Sequence, residues 1–355
     1  MEDVEKIRVG ITQGDVNGIS LEIIMKSLAE PEMFESFVPV IFGSPKAVAY
    51  HRKALNIQNF TLNNINEASE AHPKRVNIVT CADENARVEM GAPSQYSGEA
   101  AVEALAKAVE ALKNNEIDVL VVSPADIKSM QSDAFGYASQ IDYIKKQLGC
   151  SDSVTMLVGE DVRVAVAIDN VQLSQLSQCV TKERILSKLK IVDAALKSDF
   201  TIRRPRIAVL GMNQHAGENG VLGAEELEII SPAIEAANDS GIYAMGPFAA
   251  DSVFGTKYAF KFDAILAIYG DQGFAPFRTL TEFTGAQYFA GLPVVVSAPV
   301  HGNAFDIAGQ DKACIDSLRN AIYLAIDAYK NRKSNKELTS NVMQTHAKVE
   351  QERNA

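Results

Sequence analysis

Nowhere in this 355-residue chain do apolar residues run on for the roughly 20 positions that cross a bilayer. The opening stretch MEDVEKIRVGIT passes into a strand pattern without the apolar core of a secretory signal. A cytoplasmic protein with no membrane partner is the expectation. Cysteine is scarce: Cys81, Cys150, Cys179 and Cys314 are scattered without a CxxC pair, which suits reduced thiols packed in the interior. Histidine occurs only five times, so an imidazole-based metal site has few sources. Positive charge is in deficit, with 34 Lys and Arg against 45 Asp and Glu and a net charge of −11. That balance disfavours nucleic acid, and any phosphate must be gripped locally. The phosphate fingerprints GxGxxG and GxxxxGK[ST] are missing, as are internal repeats and low-complexity blocks.

What is present is a packed globule's composition, 47% hydrophobic and 22% charged. Short apolar runs recur at 7–12, 38–43, 76–80, 118–123, 154–159, 163–168, 206–211, 264–270 and 292–298, and read as buried strands. Amphipathic helical stretches lie between them, clearest at 97–115, 181–200 and 224–241. Ser97 and Thr181 are the expected N-caps, and Gly241 the stop after the third helix. A last helix is expected over about 313–330, then a polar tail. Strands alternating with helices predict an α/β fold with a largely parallel sheet covered on both faces.

In such a sheet ligands bind beyond the carboxyl ends of the strands. After the first strand comes TQGDVNGIS (12–20), readable as a weak phosphate cradle or as a capped strand-to-helix turn. His215 stands in LGMNQHAGENGVLG (210–223), between a strand and a glycine-rich turn, where a metal ligand could stand. SAPVHGNAFDIAGQDKA (297–313) is the most specific stretch. Its small residues allow backbone to approach a purine and ribose, a histidine ring can stack, and an acid can meet a ribose hydroxyl.

That stretch resembles the loop that holds the adenine end of NAD in the isocitrate and isopropylmalate dehydrogenases, H-G-S-A-P-D-I-A-G. Here it reads His301, Gly302, Asn303, Ala304, Phe305, Asp306, Ile307, Ala308 and Gly309. Together with GMNQHAGENGVLGAEE (211–226), GPFAADSVF (246–254), YGDQGFAPF (269–277) and AGLPVVVSAPVHG (290–302), it is similar to the 4-hydroxythreonine-4-phosphate dehydrogenase family over about residues 5–330. The resemblance implies two α/β/α lobes with a cleft between them, isopropylmalate dehydrogenase-like. The first lobe is expected over 1–130 plus about 300–332, the second, with dimer contacts, over 131–299, and a polar tail over 333–355. It also implies an NAD-dependent homodimer of pyridoxine biosynthesis, with a divalent metal on three histidines, that oxidises a hydroxyl and then releases carbon dioxide. His301, Gly302, Asn303, Ala304 and Asp306 are then the cofactor-binding set.

Carried over position by position, the resemblance implies a degenerate metal site. Of the three histidine positions, the chain has Asn170, His215 and Gly270. A lone imidazole does not anchor a catalytic ion, although Asp169 and Asp271 could build an oxygen-rich substitute with it. The substrate motif G-H-T-E-Y aligns with Ser139, Gln140, Ile141, Asp142 and Tyr143, and the lysine before it with Ile127, Lys128 standing one place on. The phosphate ligands lysine, asparagine and arginine align with Arg278, Gln287 and Val296. Lys128, Asp251 and Asp271 are therefore the candidate catalytic residues, Gln140, Arg278 and Gln287 the candidate substrate contacts, and His215 the single retained metal ligand. Three functional readings stay open: an NAD-binding relative whose family reaction has lapsed, an NAD-dependent dehydrogenase acting on a different, less charged hydroxy acid, and a non-catalytic nucleotide-binding or regulatory dimer.

Overall fold

The structure, a computed structural model, describes residues 6–81 and 87–340. Each of the nine apolar runs contains a strand: β1 Ile7–Thr12, β2 Phe37–Gly43, β4 Val76–Thr80, β5 Val119–Val121, β6 Val154–Val158, β7 Arg163–Ile168, β8 Arg206–Leu210, β10 Ala264–Tyr269 and β12 Val295–Pro299. Three more strands complete one twelve-stranded sheet: β3 Leu62–Ile65, β9 Tyr243–Phe248 and β11 Ala286–Ala290. Their sequences LNNI, YAMGPF and AQYFA break the apolar pattern. β3 and β9 are the two edges of the sheet, where one side of a strand meets water and does not need an apolar run.

Strand order is β3-β4-β2-β1-β5-β12-β11-β6-β7-β10-β8-β9. Pairing is parallel except at β12-β11, β11-β6 and β6-β7, where the chain crosses the middle of the sheet. The helices α1 Ser20–Ser27, α2 Pro45–Ala54, α3 Gln95–Lys113, α4 Ile127–Met130, α5 Gln140–Gln147, α6 Leu176–Cys179, α7 Lys182–Ser198, α8 Ser231–Asp239, α9 Ala250–Phe254, α10 Gly270–Thr281 and α11 Asp316–Thr339 supply the flanking layers. α3 shows why: Ala101, Ala104, Leu105, Ala108, Val109 and Leu112 recur at helical spacing and pack on Val40, Phe42, Leu120 and Val296. Burying Leu105 and Leu112 stabilises that layer by about 2 kcal/mol each.

Several local expectations shift. Ser94, not Ser97, caps α3: its Oγ accepts from Ser97 N at 3.1 Å, while the Ser97 hydroxyl meets Ser94 N, which is a reciprocal capping box. Thr181 caps α7 by accepting from Arg184 N. The stretch 224–241 splits into a π-turn at Glu226–Ile230 and then α8, with Pro232 in its first turn. The final helix runs on to Thr339, beyond the expected end near 330, because Asn331 and Arg332 dock onto Asp199. The remainder of the expected tail, 341–355, lies outside the described residues. Cys81, Cys150 and Cys179 are half-buried against the core, and burial pushes the Cys81 thiol up to about 12. Cys314 is exposed, contrary to an interior role, because it lies in the turn before α11. No helix among the described residues is long and apolar enough to cross a membrane.

Candidate active-site cleft

The TQGDVNGIS turn is wholly buried and serves as a structural hub, which settles its two readings against the phosphate cradle. Gln13 donates to Ala100 O and accepts from Ser44 N. Asn17 donates to Ala92 O and Ser94 Oγ and accepts from Glu89 N. Asp15 accepts from Asn17 N and Ser97 Oγ, and burial holds its carboxyl above the usual range. A phosphate would find these donors already engaged. Ile19 N donates to Asn303 O at 3.0 Å, and a Cβ on Gly18 would stand 2.7 Å from that same carbonyl oxygen. The hub therefore seats the HGNAFDIAG loop, and only glycine at 18 lets the two backbones touch.

On that loop Ala304 is left-handed (φ 43°), introducing the short 3-10 turn Phe305–Ile307. Gly302 faces open space and Asp306 is exposed. Asn303 Oδ1 and His301 Nε2 are buried without a protein partner. His301 Nδ1 lies 3.1 Å from Gly302 O. Burial, with Arg278 nearby, lowers the pKa of the His301 imidazole, so the ring is neutral at pH 7 and its Nδ1–H donates to that carbonyl. A buried acceptor without a donor, on backbone that small residues leave open, suits a dinucleotide.

Residues that follow β5, β7 and β12, with side chains of the antiparallel strand β11, line a cleft of about 320 Å³. Gln140, Asp169, Asn170, Arg278, Gln287, His301 and Gly302 all line it, so residues from distant parts of the chain converge there. Gln140 Nε2 donates to Ser123 O, Gln287 Nε2 to Pro299 O and Arg278 Nη2 to Val300 O. Lys128 is not part of this wall: it is exposed on α4, and the residue facing the cleft is Ile127. Val296 is not part of the wall either: it is fully buried in the core, beside Leu120 in the sheet. Ser123, which the sequence pattern hides inside an apparent strand, also lines the cleft, with a buried hydroxyl lacking a partner. Its position just after a strand end was the available signal.

His215, Asp251 and Asp271 meet in a second cavity of about 700 Å³ on the other side of α10, with Met212, Phe254 and Tyr269. Positions 170, 270 and 215, where the resemblance implies metal histidines, lie in the segments that follow the adjacent parallel strands β7, β10 and β8. A side chain at Gly270 would have its Cβ 3.4 Å from Asp169 Oδ1. Burial pushes the Asp169 carboxyl up, against a hydrogen bond from Asn170 N at 2.9 Å. Yet Asp169 lines the first cleft while His215 and Asp271 line the second, so the suggested oxygen-rich replacement is not assembled. Among the described residues no three His, Cys, Asp or Glu side chains group so as to hold an ion. The donor set thus does not fit a resident divalent metal. Of the other histidines, His72 is exposed and His51 is fully buried, its Nε2 2.6 Å from Val16 O. His346 lies outside the described residues.

His215, Ala216, Glu218 and Asn219 all have positive φ, an unusual run for residues with a Cβ. The buried carboxylate of Glu226 holds them: Oε1 accepts from Asn213 N at 2.7 Å and Oε2 from Asn213 Nδ2 at 3.0 Å. Gln272 ties the base of the loop to β10, donating to Gly211 O and accepting from Ile268 N. Replacing Glu226 with alanine strands buried donors and is expected to cost about 2 to 4 kcal/mol. Limited proteolysis should then cut within 211–224, where the native chain resists.

Comparison with known proteins bears on this geometry. A family model described as "Pyridoxal phosphate biosynthetic protein PdxA" matches residues 35–325. A Bacteroides thetaiotaomicron protein named 4-hydroxythreonine-4-phosphate dehydrogenase is 46% identical over 333 residues, 93% of this chain and 91% of its own. A Sulfurihydrogenibium protein of the same name is 32% identical, covering 90% of this chain and 98% of its own. The crystal structure of 4-hydroxythreonine-4-phosphate dehydrogenase from Klebsiella pneumoniae superposes with a TM-score of 0.79 at 27% identity, covering 92% of this chain and 99% of that one.

Proposed function

The chain belongs to the pyridoxal phosphate biosynthetic protein PdxA family, and from that premise we propose that it is an NAD-binding dehydrogenase-fold protein in which the metal-assisted oxidation of 4-phosphohydroxythreonine has lapsed. The observation that carries this reading is the reduction of the histidine set to His215, with Asn170 and Gly270 at the other two positions. Metal assistance stabilises an oxyanion by several kcal/mol, so its loss costs several powers of ten in rate.

Gly302, Asn303, Ala304 and Asp306 are the residues that would hold NAD, which when bound supplies a hydride acceptor. Asn303 Oδ1 offers the cofactor an unpaired acceptor, and Asp306 can accept from a ribose hydroxyl. Around the cleft the chain's own groups orient a ligand: Arg278 by charge, Gln140 and Gln287 by the amide oxygens that their own hydrogen bonds leave free. Ile127, Ile141 and Phe289 give the cleft its apolar lining. Asp251 and Asp271, being across α10, are assigned to the second cavity. Val221, Leu222 and Leu227 are large apolar side chains exposed close together in sequence on the second half of the chain, and covering them in a homodimer would remove that surface from water.

Calorimetry should detect NAD, and NAD reduction with 4-phosphohydroxythreonine plus zinc or magnesium should stay at least about a thousandfold below the roughly 1 per second of ordinary enzymes. Turnover at the ordinary rate would overturn the reading.

A further inference from the structure

Arg278 is the cation that lines the smaller cleft, and no carboxylate among the described residues pairs with it. Its guanidinium lies 5.3 Å from the Phe274 ring centroid and 5.9 Å from that of Phe283, and its Nε is buried without an acceptor. Burial lowers its pKa, and against that cost the guanidinium has the Val300 carbonyl and two ring faces but no anion. Such an arrangement is costly unless a ligand brings the anion. Ser123 Oγ, in the same wall, is a second buried donor lacking an acceptor.

The size of the charge can be bounded. A phosphate ester carries close to two negative charges at neutral pH, and the cleft offers one guanidinium while also presenting the carboxyl of Asp169. Val296 is sealed in the core and adds no group to the cleft wall, and Lys128 faces away, so neither supplies a second cation. A dianion would be under-compensated; a single carboxylate would be matched by the planar fork of Arg278. The remaining lining from Ile127, Ile141, Ile144 and Phe289 calls for a short apolar body. The neutral His301 ring, whose Nδ1–H is spent on Gly302 O, leaves Nε2 as a buried acceptor seeking a donor. A hydroxyl supplies one.

We propose that this cleft takes a compact carboxylate bearing a hydroxyl and no phosphate, with Arg278 gripping the carboxylate and His301 Nε2 accepting from the hydroxyl. The assignment deepens the function proposed above by naming its ligand class, and it rests on the same cleft but not on NAD. The three probes are 2-hydroxybutyrate, butyrate and inorganic phosphate, titrated by calorimetry into the full-length chain with no nucleotide present. 2-Hydroxybutyrate should bind one to one, about tenfold tighter than butyrate, and phosphate should not displace it. Arg278→Gln should weaken it at least about tenfold, and His301→Phe should erase the preference for the hydroxyl. A readout free of any variant is the proton spectrum of the five imidazoles, in which one ring should shift with 2-hydroxybutyrate and stay put with phosphate. Phosphate binding as tightly as 2-hydroxybutyrate, no binding of 2-hydroxybutyrate up to about 10 mM, or an unchanged affinity in folded Arg278→Gln would each overturn the proposal. NAD failing to bind while 2-hydroxybutyrate binds sinks the cofactor reading alone, and the converse sinks this one alone.

Discussion

Replacing Asp199 with alanine should lower the free energy of unfolding by about 3 to 5 kcal/mol, the cost of removing one partner from a buried ion pair. Asp199 is 3% exposed at the end of α7. Its carboxylate accepts from Arg332 Nε at 3.0 Å and Nη2 at 2.9 Å, and from Tyr288 Oη at 2.5 Å, while Arg332 Nη2 also reaches Tyr288 Oη at 2.8 Å. Three separate elements, α7, β11 and α11, are pinned at that one point. Burial pushes the Tyr288 phenol well up, so it stays protonated and donates. For Arg332 burial acts downward, but the hydrogen bonds and charges of Asp199 and Tyr288 together outweigh it and the guanidinium is held charged. Alanine at 199 leaves that charge without a partner and the phenol without an acceptor. Tyr288→Phe removes a single hydroxyl and should cost only about 1 kcal/mol. Urea unfolding measures both: the midpoint should fall several times further for Asp199→Ala, at unchanged slope. Equal losses in the two variants would show that the charge is not what holds the helix.

The second large effect is a gain. Asn170→His combined with Gly270→His should make the chain retain zinc through dialysis, with affinity at least about a hundredfold above the parent, because a side chain bonded to the ion matters at least as much as the groups that orient it, which are worth about tenfold to a hundredfold each. The physical basis is the order β7-β10-β8: positions 170 and 270 closely follow neighbouring parallel strands, and His215 stands in the loop after the third, so the two added imidazoles must reach toward it from the ends of β7 and β10. Gly270 has room, since its hypothetical Cβ meets only Asp169 Oδ1, at 3.4 Å. Asp169 could then accept from the new imidazole and set its tautomer. Metal analysis of the purified double variant reads the outcome, and His215→Ala added to it should abolish retention. A double variant as metal-poor as the parent would mean that these strand ends do not point to a common centre.

Much of the architecture was written in residue pattern. Continuous apolar runs such as IRVGIT and RVAVAI can only be strands buried on both faces, and α3 declares itself by its alanine and leucine spacing. The edge strands β3 and β9 escaped notice because half of each faces solvent. The end of α11 escaped it because the residues past 330 are polar and are held by a partner, Asp199, more than a hundred positions away. Side-chain destinations were the least legible. Local sequence offered Lys128 as a base, yet a four-residue helix turns it outward and gives its place to Ile127.

By itself the sequence determined the family, the α/β class, the HGNAFDIAG loop and the presence of Asn170 and Gly270 beside a single His215, all properties of residue identity in order along the chain. Only the tertiary structure decided that His51 is interior, that TQGDVNGIS is a fully bonded hub, that α10 parts Asp251 and Asp271 from Arg278, and that Arg278 shares its cleft with Ser123 and His301 but with no paired acid. The reason is distance along the chain: burial and charge compensation are set by neighbours that the fold brings from afar, and periodicity reports only which face of an element turns inward.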